Sequence, residues 1–198
     1  MTAPTLPGSS SDIALAVRPF AGYAARADLP IGSREAALQV ARSLLVIGAF
    51  VSFTTAGRLV PFHVVSGLLA YAFLFAIQLS AFALTYGLLV RRGGLGRALA
   101  LYCAGHGPWT LFALAITLAC AIPSLAHVLA ERGVALRVLP PLVLATAAWG
   151  VVVTAACFRA GLALPRGRAL LATLLYYLLL VGALATWYAL TGQLRAFV

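Results

Sequence analysis

The chain contains no lysine, and its acidic residues number four: Asp12, Asp28, Glu35 and Glu131. Three of these lie in the first 35 residues. Proton- or sodium-coupled carriers and hydrolases with paired carboxylates both need acids held within reach of their chemistry. Neither class fits this chain. Cysteine is scarce as well. Cys103, Cys120 and Cys157 form no CxxC pair and are odd in number, so they read as small apolar packing residues. There is no GxSxG, no HExxH and no Ser–His pair at a shared depth, which leaves acyl transfer and intramembrane proteolysis without support. His63 and His127 could stand level at one membrane face as a haem pair, but both fall at the ends of apolar runs, where exposed histidines are common. No cofactor, no metal and no enzymatic activity are expected.

What the chain has in quantity is apolar sequence. Four stretches, Leu59–Val90, Ala98–Ala130, Val138–Phe158 and Ala169–Leu194, run for 21 to 33 residues without an Asp, Glu, Lys or Arg. About 20 apolar residues cross the hydrocarbon layer, and soluble cores rarely supply one such run. Ser43–Gly57 is a weaker fifth run that reaches crossing length only if it begins near Ala36, which puts Arg42 about two turns inside the helix. A long arginine near a helix end can extend its head to the interface. The expected fold is all-α, a polytopic transmembrane bundle of five helices at 36–57, 64–90, 98–122, 138–158 and 169–190. With 63% hydrophobic and 9% charged residues, a separate soluble domain has no room. Pro123, Pro140-Pro141 and Pro165 punctuate the ends of the runs, where a lost backbone donor does least harm.

The net charge of +10 would suggest nucleic acid in a soluble protein. Here every basic residue is an arginine, and most stand in the short gaps between apolar runs, where they set topology and meet lipid headgroups. Nucleic acid is therefore not an expected partner, whereas the bilayer is. Five crossings put Arg18, Arg26, Arg34, Arg42, Arg91, Arg92, Arg97, Arg159, Arg166 and Arg168 on one side and Arg58, Arg132, Arg137 and Arg195 on the other, ten against four. The N-terminus is then cytoplasmic and the C-terminus external. Heavy use of Ala, Arg, Gly and Leu without lysine suggests a GC-rich bacterial genome, so the expected location is a bacterial cytoplasmic (inner) membrane.

Residues 1–35 form an arm that lacks the features of a cleavable signal peptide, and the first span is expected to act as an uncleaved insertion signal. Within the arm, Ser10, Ser11 or Asp12 could cap a short helix with Ile13, Val17, Phe20 and Ala24 on one side, interrupted by Pro19. In an interfacial helix Arg18 and Arg26 would face headgroups while Phe20 and Tyr23 dip inward; an irregular arm is the other reading. Asp28-Leu29-Pro30-Ile31-Gly32-Ser33 is a breaker before the first span. Glu131 beside Arg132 reads as a solvated pair in the connection 123–137. Small residues at Ala72, Ala76 and Ser80, continued by Ala83 and Gly87, and at Ala113, Thr117 and Ala121, suggest close helix contacts in lipid.

Polar groups inside the spans are the residues to watch. His106 sits in Gly105-His106-Gly107-Pro108-Trp109, where Pro108 and two glycines weaken the helix and free backbone carbonyls. The imidazole either bonds one of those carbonyls at a kink or serves as a polar pivot or ligand contact. Gln78, at the centre of the second span, either joins helices by hydrogen bonds or lines a cavity. Trp109, Trp149, Tyr176-Tyr177 and Trp187-Tyr188 read as packing or interfacial aromatics.

From about residue 98 onward the chain resembles the Yip family, the Rab-interacting membrane proteins of eukaryotes and their bacterial relatives. The resemblance rests on Ala100-Leu101-Tyr102, Pro108-Trp109-Thr110-Leu111, Ala148-Trp149-Gly150, Phe158-Arg159-Ala160-Gly161-Leu162 and Pro165-Arg166-Gly167-Arg168-Ala169. It implies five spans with the N-terminus inside, and a protein that works through other proteins. Asp28-Leu29-Pro30-Ile31-Gly32 does not reproduce the DLxGP-type motif of the eukaryotic members, so Rab-type GTPase binding is not expected. The expected function is a non-enzymatic scaffold or assembly subunit with a membrane-protein partner or a homo-oligomeric state. The alternative is a small-solute or lipid transporter using His106 and Gln78.

Overall fold

A computed structural model of the chain describes residues 15–27, 31–90 and 94–191, without the side chains at 130, 132, 135 and 136. The expected cap at Ser10–Asp12, the arm position Ile13, the breaker Asp28–Pro30, Arg91, Arg92, Arg195 and the side chain of Arg132 lie outside the described residues. Every regular element described is helical. Five helices are long and apolar enough to cross a membrane: span 1 Ser33–Ala56, span 2 Pro61–Val90, span 3 Leu95–Ala121, span 4 Arg137–Gly161 and span 5 Arg166–Leu190. The protein is an all-α, multi-pass membrane bundle.

The boundaries follow from backbone chemistry. Pro61 opens span 2 at the first turn, where a helix needs no N–H, and Pro165 stands in extended backbone just before span 5. Gly57, at φ 65°, closes span 1 in the left-handed conformation that glycine adopts most easily, and its N–H bonds the Phe53 carbonyl. One expected boundary is different. Pro140 and Pro141 lie inside one continuous helix, Arg132–Ala156, rather than at its start. The carbonyls they leave without an N–H are at 136 and 137, at the margin of the apolar segment, where water can satisfy them. Pro123 stands just past the end of span 3, as expected, and opens a short helix, Pro123–Ala130, within the connection.

Span 1 packs along span 2 and along both halves of span 3, and span 5 packs on span 2. Spans 1 and 2 approach closely at Gly48 and Gly67. A Cβ on Gly48 would lie 2.8 Å from the Val64 carbonyl oxygen, and one on Gly67 would lie 2.9 Å from Val51 Cβ. Ala113 and Thr117 are buried as their spacing suggests, but Ala121 is exposed. The other stripe is different again. Ala72, Ala76 and Ser80 are exposed on the outside of span 2, and a Cβ on Gly87 would meet nothing within 4 Å. Periodicity marks a face without saying what covers it, and here the two glycines took the contact.

Spans 2 and 3 repeat in spans 4 and 5. Span 2 ends in a π-helical turn, Tyr86–Val90, and span 4 ends in another, Cys157–Gly161. The next helices start at Leu95 and Arg166, and each landmark lies 71 residues from its counterpart. Gly96-Arg97-Ala98-Leu99 matches Gly167-Arg168-Ala169-Leu170 at the same offset. Burial follows: Phe82, Thr85, Tyr86, Val90, Ala98, Leu101 and Tyr102 are buried, as are Val153, Ala156, Cys157, Gly161, Ala169, Ala172 and Thr173. The two hairpins meet where Phe82 stacks on Phe158, with ring centres 5.4 Å apart. This is the parallel kind of internal repeat that membrane folds use.

The arm forms a short helix, Pro19–Arg26, and the helical turn before it, residues 15–17, is interrupted at Arg18 and Pro19 as the sequence suggests. Tyr23 is 1% exposed and belongs to the bundle core, whereas Phe20 is 48% exposed. Arg26, expected among headgroups, is 7% exposed. The helix packs on span 4 and its π-helical turn, so one face is covered by protein instead of water.

Candidate functional site

Span 3 breaks where Gly105-His106-Gly107-Pro108 stands. The Gly105 N–H bonds the Tyr102 carbonyl at 2.9 Å and the His106 N–H bonds the Cys103 carbonyl at 3.2 Å, a tight turn before the helix restarts at Gly107. Pro108 supplies no N–H at the restart. The His106 carbonyl receives the Thr110 N–H and the Thr110 hydroxyl, each at 3.0 Å. The kink is thus satisfied locally, as a break in hydrocarbon must be.

The break aims the imidazole across the bundle. Its Nδ1 lies 3.3 Å from the Cys103 carbonyl oxygen, and its Nε2 lies 2.9 Å from Gln78 Oε1. The two polar residues picked out separately in the sequence are therefore partners. A neutral imidazole donates through one nitrogen and accepts through the other. With Nδ1–H on the Cys103 carbonyl, the Gln78 amide completes the pair by presenting its NH₂ to Nε2, the rotamer of equal shape. Phe75 stacks on the imidazole at 5.1 Å and Tyr102 meets it edge-on at 5.0 Å, fixing the ring plane.

From this pair the polar contacts continue through all five spans. The Ser43 hydroxyl of span 1 lies 3.3 Å from Thr110 Oγ1. Tyr102 and Tyr176 share a hydrogen bond between their hydroxyls, 2.5 Å apart, linking spans 3 and 5. Tyr177 packs edge-on against Tyr176 at 4.9 Å, and its hydroxyl lies 3.3 Å from Thr154 Oγ1 in span 4. Thr154 in turn donates to the Gly150 carbonyl at 2.9 Å. These contacts include no carboxylate and no arginine. Their groups can hold helices in register or bind a neutral hydrogen-bonding group, and they contain no nucleophile paired with a base.

The remaining expected residues lie apart from this layer. Pro108 is half-buried at the kink, while Trp109 is exposed and meets Phe112 edge-on at 6.1 Å. His63 lies 3.1 Å from Thr55 Oγ1 within the span 1–2 hairpin, and His127 is exposed on the short helix after span 3. Arg42, Arg166 and Arg168 are exposed and Arg97 is half-buried. Arg159 does more than meet headgroups. Its Nη1 donates to the Leu164 carbonyl at 2.7 Å and ties the π-helical turn to a connection in which Ala163 takes φ 52°. Among the described residues no group of three or more His, Cys, Asp or Glu is placed to hold a metal.

Tyr176, read as a packing aromatic, is buried in the core, but sequence reasoning did not single out Tyr102, Thr154 or Ser43, because each is an ordinary helix residue until its partner is known. It also passed over Gln39, which is 7% exposed. Its Nε2 donates to Glu35 Oε1 at 3.0 Å, and its Oε1 is the one buried side-chain polar atom without a hydrogen bond among the described residues. The spacing of Glu35 and Gln39, one helical turn, was the available signal. Comparison with family models, with curated proteins and with solved structures gives no match to this chain.

Proposed function

We propose that this multi-pass membrane protein is a non-enzymatic scaffold or assembly subunit of the Yip type, acting in a bacterial inner membrane through a membrane-protein partner. The observation that carries this reading is where the polar groups go. Among the described residues, polar side chains of all five spans bond to one another or to their own backbone, and Gln39 Oε1 is the one buried side-chain polar atom left over, so no continuous line of free groups crosses the interior. An open, apolar groove of about 470 Å³ lies between spans 2 and 5, lined by Ala76, Ser80, Leu84, Leu178, Gly182 and Ala183. Small residues there let a foreign helix approach closely, and the Ser80 hydroxyl can bond across it. A permease is the second reading, favoured by the break at Gly105-His106 in the middle of span 3.

Extraction of the chain from its own membranes in a mild detergent separates the two. A scaffold is expected to retain a second polypeptide at fixed stoichiometry, and Gly182→Leu should lower that recovery without changing the yield of the chain itself. A solitary chain or homodimer with a hydrated interior would favour the permease.

A further inference from the structure

The two hairpins place polar residues at the same two positions, Gln78 and His106 in the first and, 71 residues on, Trp149 and Tyr177 in the second. The first pair bonds to itself. The second does not: Tyr177 turns to Thr154, and Trp149 Nε1–H donates at 2.6 Å to the Ala16 carbonyl of the arm. Trp149 lies twelve residues from the end of span 4 at Gly161, roughly 18 Å along the helix. The arm therefore enters the arginine-rich half of the bundle instead of resting on its end.

Tyr23 fills a socket prepared for it. Its ring lies where a Cβ on Gly161 would come within 3.1 Å, and its hydroxyl occupies the space a Cβ on Gly105 would need. Cys157 neighbours that hydroxyl in the core and is itself fully buried. Gly105 belongs to the kink and adjoins His106, so the socket and the polar layer share a wall. The attachment runs through one short element. The arm helix has eight residues, is preceded by a break at Arg18, and is followed by Gly32 in extended backbone with open space around it.

We propose that residues 15–26 form a removable plug, seated between spans 3 and 4, whose withdrawal opens the Gly105–His106 kink to water at the arginine-rich end. This goes beyond the partner reading and does not depend on it. Cys157 is a native reporter. In a Cys103→Ala/Cys120→Ala background in nanodiscs, a membrane-impermeant maleimide should label Cys157 slowly while the arm is seated. Tyr23→Ala, and separately Trp149→Phe, should accelerate labelling about tenfold or more, while Tyr23→Phe stays near the parent rate. Trp149→Phe releases the Ala16 carbonyl without opening space beside Cys157, so acceleration there reports withdrawal and not a new void. Labelling no faster in Trp149→Phe or in a well-folded Tyr23→Ala would overturn the proposal. Should Tyr23→Ala fail to fold, hydrogen exchange on the unsubstituted chain decides the matter. Amides 19–26 exchanging about a hundredfold faster than 150–156 support a plug, and equal protection makes the arm a fixed strut.

Discussion

A leucine at Gly48 is expected to separate span 1 from span 2 and to destabilise the bundle by about 3 kcal/mol. The reason lies in what a side chain would meet. Even a methyl group would press on the Val64 backbone carbonyl at 2.8 Å and on Val64 Cγ1 at 3.0 Å, and a backbone atom cannot rotate away. In lipid no water-driven force restores the contact once the helices part, because tails solvate apolar side chains as well as a neighbour does. Gly182→Leu is the control. Nothing lies within 4 Å of a Cβ there, so its stability should change by no more than about 0.5 kcal/mol. Unfolding midpoints in detergent, compared for the two variants, check the difference. Equal midpoints would mean the Gly48–Gly67 contact contributes nothing.

The Gln78–His106 pair gives the second large effect. His106→Leu leaves the Gln78 amide in the span interior without its partner, at a cost of about 1–3 kcal/mol. Gln78→Leu should cost a similar amount by stranding the imidazole. The double replacement should recover part of the sum, because no unsatisfied group remains on either side. His106→Asn and His106→Gln each retain a donor and should keep the fold, the partner and the yield. A ligand contact at His106 predicts otherwise: all three single replacements would abolish function in protein that inserts and purifies normally. A stability cycle on Gln78 and His106, with His106→Gln assayed for partner retention, separates the two outcomes.

Much of this was readable in the residues. Charge-free runs longer than a bilayer give the spans directly, since hydrocarbon penalises any charge they might contain. Gly105, Gly107 and Pro108 announced a break, and a break in lipid must satisfy its own carbonyls, which Thr110 and the imidazole do. The pairing of His106 with Gln78 was not readable, because 28 residues and a turn separate them and helix rotation sets which faces meet. The burial of the arm was not readable for a related reason. Tyr23 and Arg26 look amphipathic by spacing, but the socket that buries Tyr23 is made by Gly105 and Gly161, whose message is the absence of a side chain. The repeat escaped notice because outside Gly-Arg-Ala-Leu the two hairpins share a burial pattern and not residue identities. The 140–141 prolines show the limit of punctuation rules, which locate a weak point in a helix without deciding whether the helix continues.

The arm and its socket lie in the half of the bundle where the arginines gather, so their meaning depends on which side of the membrane that half faces. Reporter fusions settle it. Fusions after Arg92 and after Arg168 are expected to be active as cytoplasmic reporters, and fusions after Arg132 and after Val198 as external ones, as five crossings and the ten-against-four arginine bias require. A cytoplasmic signal after Val198 would contradict the five-span account, and the first helix, with Arg42 inside it, would be the crossing that fails.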